Sequence, residues 1–141
     1  MKYKVMIVED QTMPRELFEL RVQASERFEL ALSIDNAALA DVYCLRFPVD
    51  LILMDVITRD GENGLDAAAR IKRAFPQIKI IIVTSMPECS YLKRAKEIGV
   101  ESFWYKEEQR ESLLDVMERT MNGESVYPGA SPELTLGMAS S

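Results

Sequence analysis

The chain contains no histidine. Imidazole is therefore unavailable as a metal ligand or a general base, which excludes a histidine-based zinc centre and a Ser-His-Asp triad. Cysteine is nearly as scarce. Cys44 and Cys89 are the only two, with no CxxC spacing. Long hydrophobic runs are also missing. No segment reaches about 18 uninterrupted apolar residues, and the apolar run in "MKYKVMIVED" is too short for a secretory signal or a membrane span. Free thiols without a signal fit a reducing cytoplasm, the expected location, with no membrane partner. Positive charge is in the minority. Seventeen Lys and Arg face 23 Asp and Glu, for a net charge of −6 and a pI near 4.8. That balance argues against a surface that grips nucleic acid by itself.

What is present is a globular composition and a regular alternation. The 141 residues are 48% hydrophobic, enough for one ordinary domain with a real core. "YKVMIV", "FELALSI", "DLILMD", "IKIIIVTS" and "VESFWY" are short and apolar and read as five strands. Helical spacing follows each. Leu17, Leu20 and Ala24 repeat in the first helix, flanked by Phe18 and Val22. Ala37, Leu39, Ala40 and Leu45 form the apolar side of the second, with Asp35 or Asn36 as its cap. Gly64 precedes a third helix over 65–75. Pro87 begins a fourth that Gly99 closes, and residues 111–121 form a fifth. After Gly123 the periodicity stops, and "GESVYPGASPELTLGMASS" reads as a tail or linker.

Strict strand–helix alternation implies an α/β fold with a parallel sheet covered on both faces. The common order for five strands is 2-1-3-4-5, the flavodoxin-like (βα)5 doubly wound arrangement, and ligands then bind at the carboxyl ends of the central strands. Glu9 and Asp10 end the first strand, Asp55 the third, Thr84 and Ser85 the fourth and Lys106 the fifth. Each alone is more often a solvated loop residue, a helix cap or a turn. Together they place three carboxylates, a hydroxyl and an ammonium on one edge of one sheet. Carboxylates brought that close repel one another, and a hard divalent cation such as Mg²⁺ relieves the repulsion. Asp10 and Asp55 are the expected side-chain ligands, with Glu9 behind them. A carboxylate so placed can act as a nucleophile and form an aspartyl-phosphate, while Lys106 and the Thr84 hydroxyl stabilise the transferring phosphoryl group.

At these residues the sequence resembles the receiver domain of bacterial two-component response regulators, on "VMIVED", "PVDLILMDV", "IIIVTS" and "SFWYKE". The resemblance spans about residues 2–122. It implies that Asp55 is the phospho-acceptor and that Glu9, Asp10 and Asp55, with the Ile57 backbone carbonyl, hold Mg²⁺. It further implies that Thr84 is the switch hydroxyl, Lys106 the phosphate-contacting lysine and Phe103 the switch aromatic. Core packing is the simpler reading of Phe103. The expected activity is a signalling switch phosphorylated by a sensor histidine kinase, not an enzyme beyond self-catalysed phosphorylation and dephosphorylation. Its helix 4–strand 5–helix 5 face, carrying Tyr91, Leu92, Trp104 and Tyr105, would control homodimerisation and transcriptional output. The other readings are a phosphorylation-independent pseudo-receiver and a Mg²⁺-dependent phosphohydrolase on the same fold.

One stretch departs from that family's pattern. "VITRDGENG" lacks the usual Pro, and the span from Asp55 to Gly64 is one residue longer. Ile57 is bulky and Met86 lies two past Thr84; in this family, residues at those places influence the lifetime of the phosphoryl group. The style of "FPQIKIIIVTS" and of the tail resembles LuxR-type (NarL-like) regulators. The expected division is a receiver domain over 1–122. Residues 123–141 would then be a tail or linker toward a helix-turn-helix domain absent from this chain, through which DNA would be bound.

Overall fold

In the computed structural model, residues 1–86, 88–107 and 111–128 are described. The strands are β1 (Tyr3–Val8), β2 (Phe28–Ile34), β3 (Leu51–Asp55), β4 (Lys79–Thr84) and β5 (Ser102–Tyr105). The helices are α1 (Thr12–Ala24), α2 (Ala40–Arg46), α3 (Gly64–Ala74), α4 (Cys89–Ile98) and α5 (Leu113–Met121). All strand pairings are parallel, in the order β2-β1-β3-β4-β5, as the alternation predicts. Pro87, expected to begin the fourth helix, lies outside the described residues, as do residues 129–141 of the expected tail.

Alternation along each strand divides the core in two. Met6, Val8, Ile52, Met54, Ile80, Ile82 and Phe103 point to the face covered by α2, α3 and α4. Val5, Ile7, Leu51, Leu53, Ile81, Val83 and Trp104 point to the face covered by α1 and α5. β3 is buried along its whole length, and each buried Leu or Ile there contributes roughly 1.5–3 kcal/mol. Alternation along β5 puts Phe103 and Tyr105 on one face and Trp104 on the other. Trp104 is core rather than exposed surface, and its indole N–H donates to the Glu111 carbonyl at 2.9 Å.

β2 breaks the simple period. Its register with β1 slips between Val5 and Met6, which pair with Leu30 and Leu32. Ala31 is thus an extra residue, a β-bulge. Phe28 and Leu30 face the α1/α5 side, whereas Leu32 and Ile34, two and four residues further on, face the α2–α4 side. Strict alternation would have kept all four together.

Two helices turn differently from the predicted stripes. In α1 the buried pair is Phe18 and Val22, one turn apart, while Leu17, Leu20 and Ala24 lie outward. A 3₁₀ turn (Ala37–Leu39), capped by the Asn36 side chain, precedes α2. It shifts the phase so that Ala37, Ala40 and Cys44 face inward and Leu39 and Leu45 face solvent. Gly99 closes α4 at φ 94°, the left-handed conformation that suits glycine.

The segment after α5 does not leave the domain at Gly123. Val126 and Tyr127 pack against the two cores, carrying the edge of the packed unit to the end of the described chain. No helix among the described residues is long and apolar enough to cross a membrane.

Burial raises the Cys44 thiol to a pKa of about 11, with the charge of Asp41 adding to the effect. Cys89 is exposed. A thiol reagent at mild alkaline pH is expected to modify Cys89 within minutes and Cys44 only after denaturant is added. Two equally fast thiols in the native protein would contradict this packing.

Candidate functional site

β1 and β3 are hydrogen-bonded neighbours that end side by side, so their C-terminal residues meet. Ligand oxygens of Glu9, Asp10 and Asp55 lie within 4.8 Å of one another. Glu9 is fully buried and Asp55 nearly so. Lys106, delivered from just past β5, reaches across both carboxylates. Its ammonium donates to Glu9 Oε1 at 2.5 Å and to Asp55 Oδ2 at 3.2 Å. The Lys106 backbone N–H is held by the Thr84 carbonyl at 2.8 Å, which sets the height of the side chain relative to β4. Asp55 Oδ1 accepts the N–H of Val56 at 2.8 Å, and Glu9 Oε2 accepts that of Gln11 at 3.2 Å.

The electrostatics follow from this crowding. Burial comes first and the Glu9 charge second in raising the Asp55 carboxyl from 3.8 to about 7, against the pull of Lys106. Burial lowers the Lys106 ammonium, but its hydrogen bonds and ion pairs with Glu9 and Asp55 outweigh that and leave it raised. Three convergent carboxylates against one ammonium form a pocket short of positive charge. An all-oxygen donor set of this kind suits a hard divalent cation.

Thr84 is buried at the end of β4, where its hydroxyl oxygen accepts the Met86 N–H at 3.1 Å. Phe103 is buried. It lies in edge contact with Tyr105, at a centroid distance of 5.4 Å. Ile57 and Met86 are both about half exposed, on the loops that follow β3 and β4.

The long β3–α3 loop has a definite shape. Gly64 N–H bonds to the Val56 carbonyl and Thr58 N–H to the Glu62 carbonyl, bracketing an antiparallel Ile57–Asn63 pair. In such a non-hydrogen-bonded pair the residue's own N–H and C=O point away from its partner. The Ile57 carbonyl is therefore left outside the bridge. The loop contains a 3₁₀ turn (Arg59–Gly61) in which Asp60 and Gly61 take positive φ, 61° and 73°. The Thr58 hydroxyl accepts the Ala37 N–H and donates to the Glu62 carbonyl. Arg59 pairs with Asp35 at 2.9 Å, so the loop is tied to the β2–α2 connection.

The sequence reading connected three residues less closely with the site than the structure does. The Arg15 guanidinium donates to the carbonyls of Glu9 and, more weakly, Asp10, holding the acidic loop from α1. Its signal was a lone Arg five residues after Asp10, which has no special meaning in sequence. Tyr91 of α4 lies close enough for the Asp55 charge to act on its phenol, although burial and Glu88 do more to raise it. Gly64 proves obligatory, because a Cβ there would sit 1.8 Å from the Asp55 carbonyl oxygen and 2.9 Å from Met54 Cγ.

The model of the response regulator receiver domain matches residues 5–118. The chain belongs to the response regulator receiver family. This receiver domain is the phospho-accepting switch of two-component signalling, built on five parallel strands in the order its family shares. It is 31% identical over 138 residues to the response regulator protein VraR of Staphylococcus epidermidis, covering 98% of this chain and 64% of that protein. The chain thus spans a little under two thirds of that relative's length. A LuxR-family DNA-binding response regulator from Staphylococcus aureus superposes with a TM-score of 0.73 at 25% identity, over 85% of this chain and 96% of that one. A LuxR-family two-component response regulator from Aurantimonas sp. shares the fold more fully, with a TM-score of 0.85 over 99% and 97% of the two chains at 19% identity.

Two outcomes test this geometry. Gly64→Ala must displace either the α3 N-terminus or the Asp55 carbonyl, and is expected to cost roughly 1–3 kcal/mol or more in a denaturant titration. The raised Asp55 pKa makes the second prediction. Below pH 3.8 the carboxyl is protonated in both folded and unfolded chains. As pH rises toward 7 the unfolded chain gives up its proton first, so the carboxyl progressively favours unfolding. In EDTA, Asp55→Asn is therefore expected to gain on the wild type between about pH 4 and 7, by up to about 4 kcal/mol. A pH-independent difference in denaturation midpoint would contradict it.

Proposed function

We propose that Asp55 is the phospho-acceptor of this receiver domain, and that Glu9, Asp10 and Asp55, with the Ile57 carbonyl, hold Mg²⁺ beside it. The observation that carries this reading is the convergence of three carboxylates with Lys106 at the ends of adjacent strands. A cation bound there supplies positive charge for the phosphoryl oxygens. An Asp55 carboxylate oxygen attacks the phosphorus of the donor. The P–N bond of a kinase phosphohistidine, or the P–O bond of acetyl phosphate, breaks as the leaving group takes the electron pair. Lys106 is already within hydrogen-bonding distance of Asp55 and needs only a small shift to meet a phosphoryl oxygen. The Thr84 hydroxyl accepts the Met86 N–H, and its own O–H is the donor that would turn to a phosphoryl oxygen.

The donor is a sensor histidine kinase in a cytoplasmic signalling pair. The response is a shift in population between two states of the α4–β5–α5 face, which governs self-association. Transcriptional output belongs to a longer protein with a helix-turn-helix part after a linker. Kinship with VraR and the LuxR-family regulator from S. aureus supports that output. The net charge of −6 supports assigning DNA contact to that other part.

Incubation with Mg²⁺ and acetyl phosphate, followed by intact-mass spectrometry, is expected to add one phosphoryl group to the wild type and none to Asp55→Asn. EDTA should abolish the adduct. An adduct of equal yield on Asp55→Asn would reject Asp55 as the acceptor. No adduct on either protein would favour a pseudo-receiver, and sustained turnover of small phosphate esters a phosphohydrolase.

A further inference from the structure

The sheet ends on two edge strands, and they finish differently. At β5 the Phe103 N–H donates to the Val126 carbonyl at 2.8 Å, so the chain closes that edge itself. β2 is paired only with β1, and a cavity of about 400 Å³ lies at its carboxyl end. Volumes of roughly 300–1,000 Å³ are usual for small-molecule sites. α1, the end of β2 and the start of α2 enclose it. Neither the three clustered carboxylates nor Lys106 lines it, so it is separate from the acidic pocket.

The bulge at Ala31 decides what this cavity presents. Leu32 and Ile34 face the α2–α4 side after it, so Ser33 between them is turned toward the α1 side. The Ser33 hydroxyl is the only buried side-chain oxygen or nitrogen among the described residues without a hydrogen-bond partner. A buried hydroxyl left unpaired costs stability, and Ser33 lines the cavity. Two further groups of the lining are uncommitted among the described residues. The Asn36 carboxamide oxygen accepts the Ala38 N–H at 2.8 Å, which leaves its NH₂ group without a partner, and the Tyr43 hydroxyl has none.

The charges are balanced but held apart. Arg15 and Glu19 stand one turn apart on α1 and both line the cavity. Arg15 Nη1 is engaged with the carbonyls of Glu9 and Asp10 at 3.1 and 3.5 Å, which leaves the other edge of the guanidinium for a ligand. The Glu19 carboxylate has no partner among the described residues. Asp35 also lines the cavity, but Arg59 matches its charge at 2.9 Å. One positive edge and one carboxylate therefore remain. A simple anion would meet Glu19 unfavourably and a simple cation Arg15, whereas a zwitterion satisfies both. The half-exposed Leu39 and the ring of Tyr43 add an apolar wall.

We propose that this cavity binds a free α-amino acid with an apolar side chain. Its carboxylate meets Arg15 and the Ser33 and Asn36 donors, its ammonium meets Glu19, and its side chain lies against Leu39 and Tyr43. Ser33 reaches it by a turn of its own side chain. The site does not depend on Asp55 being the acceptor.

The isotope-labelled 141-residue chain is titrated with L-leucine and followed by the amide resonances of Arg15, Glu19, Ser33 and Asn36. Saturable shifts centred on these amides are expected, with a Kd of about 1 mM or below. Isocaproate, which lacks the ammonium, and isoamylamine, which lacks the carboxylate, are each expected to bind roughly tenfold more weakly. Glu19→Gln is expected to weaken leucine by a similar factor. Ser33→Ala is expected to weaken it roughly fivefold while leaving the denaturation midpoint unchanged or raised, because the orphaned hydroxyl is gone. Shifts that stay linear in leucine concentration, or that centre on other residues, overturn the site. Isocaproate or isoamylamine binding as tightly as leucine overturns the zwitterion, and so does undiminished binding by Glu19→Gln. If either variant does not fold, the wild-type titrations with leucine and its two half-analogues decide.

Discussion

Lys106 stands between two carboxylates that are almost wholly removed from water, and the functional end of the molecule is organised around that ammonium. Burying Glu9 and Asp55 side by side costs several kcal/mol per ion in desolvation alone, before their mutual repulsion is counted. One lysine offsets part of that. The remainder shows in the Asp55 carboxyl, whose pKa is lifted to about 7 by burial and by Glu9. A pocket left short of positive charge has affinity for a cation and for the chemistry that a cation supports. The same shortage destabilises the fold, and stability surrendered at a site is a usual accompaniment of function.

The scaffold tolerates this cost because it holds the charges still. β3 is buried on both faces from Leu51 to Asp55, so Asp55 rides on a strand without slack. α3 begins so close behind it that only glycine fits at position 64. In the loop between them, the Ile57–Asn63 pair and the Thr58 and Arg59 contacts to the β2–α2 connection give a fixed course. Against this rigidity the Thr84 hydroxyl stands out. Its oxygen accepts the Met86 N–H in its own loop, and its own O–H turns by rotation alone.

At the other edge of the sheet, β5 is too short and too exposed along one side to end the fold unaided. The relay from Val126 through Ser102 and Thr120 to the backbone of α5 supplies the missing partners, and Tyr127 roofs Phe103. The segment that leaves the domain is therefore packed on the element nearest the switch.

Much of this was written in the local pattern. Alternating apolar strands and helices implied a parallel sheet, because a strand buried on both faces needs helices above and below it, and the common order for five such strands is the one found. The order in turn made Glu9, Asp10, Asp55 and Lys106 neighbours, since the ends of parallel strands share one edge. Other features had no local signal. The bulge at Ala31 and the 3₁₀ turn before α2 re-phase apolar residues whose spacing looked regular. The exposure of Leu17, Leu20 and Leu39 therefore depended on how each element rotates against its neighbours. Arg15 and Tyr91 reach the site from helices, at distances that spacing along the chain does not encode. The docking of Val126 and Tyr127 was the least legible, because a glycine-, serine- and proline-rich stretch has no periodicity of its own. Its conformation comes from the unpaired edge of β5, a partner that exists only once the sheet has formed.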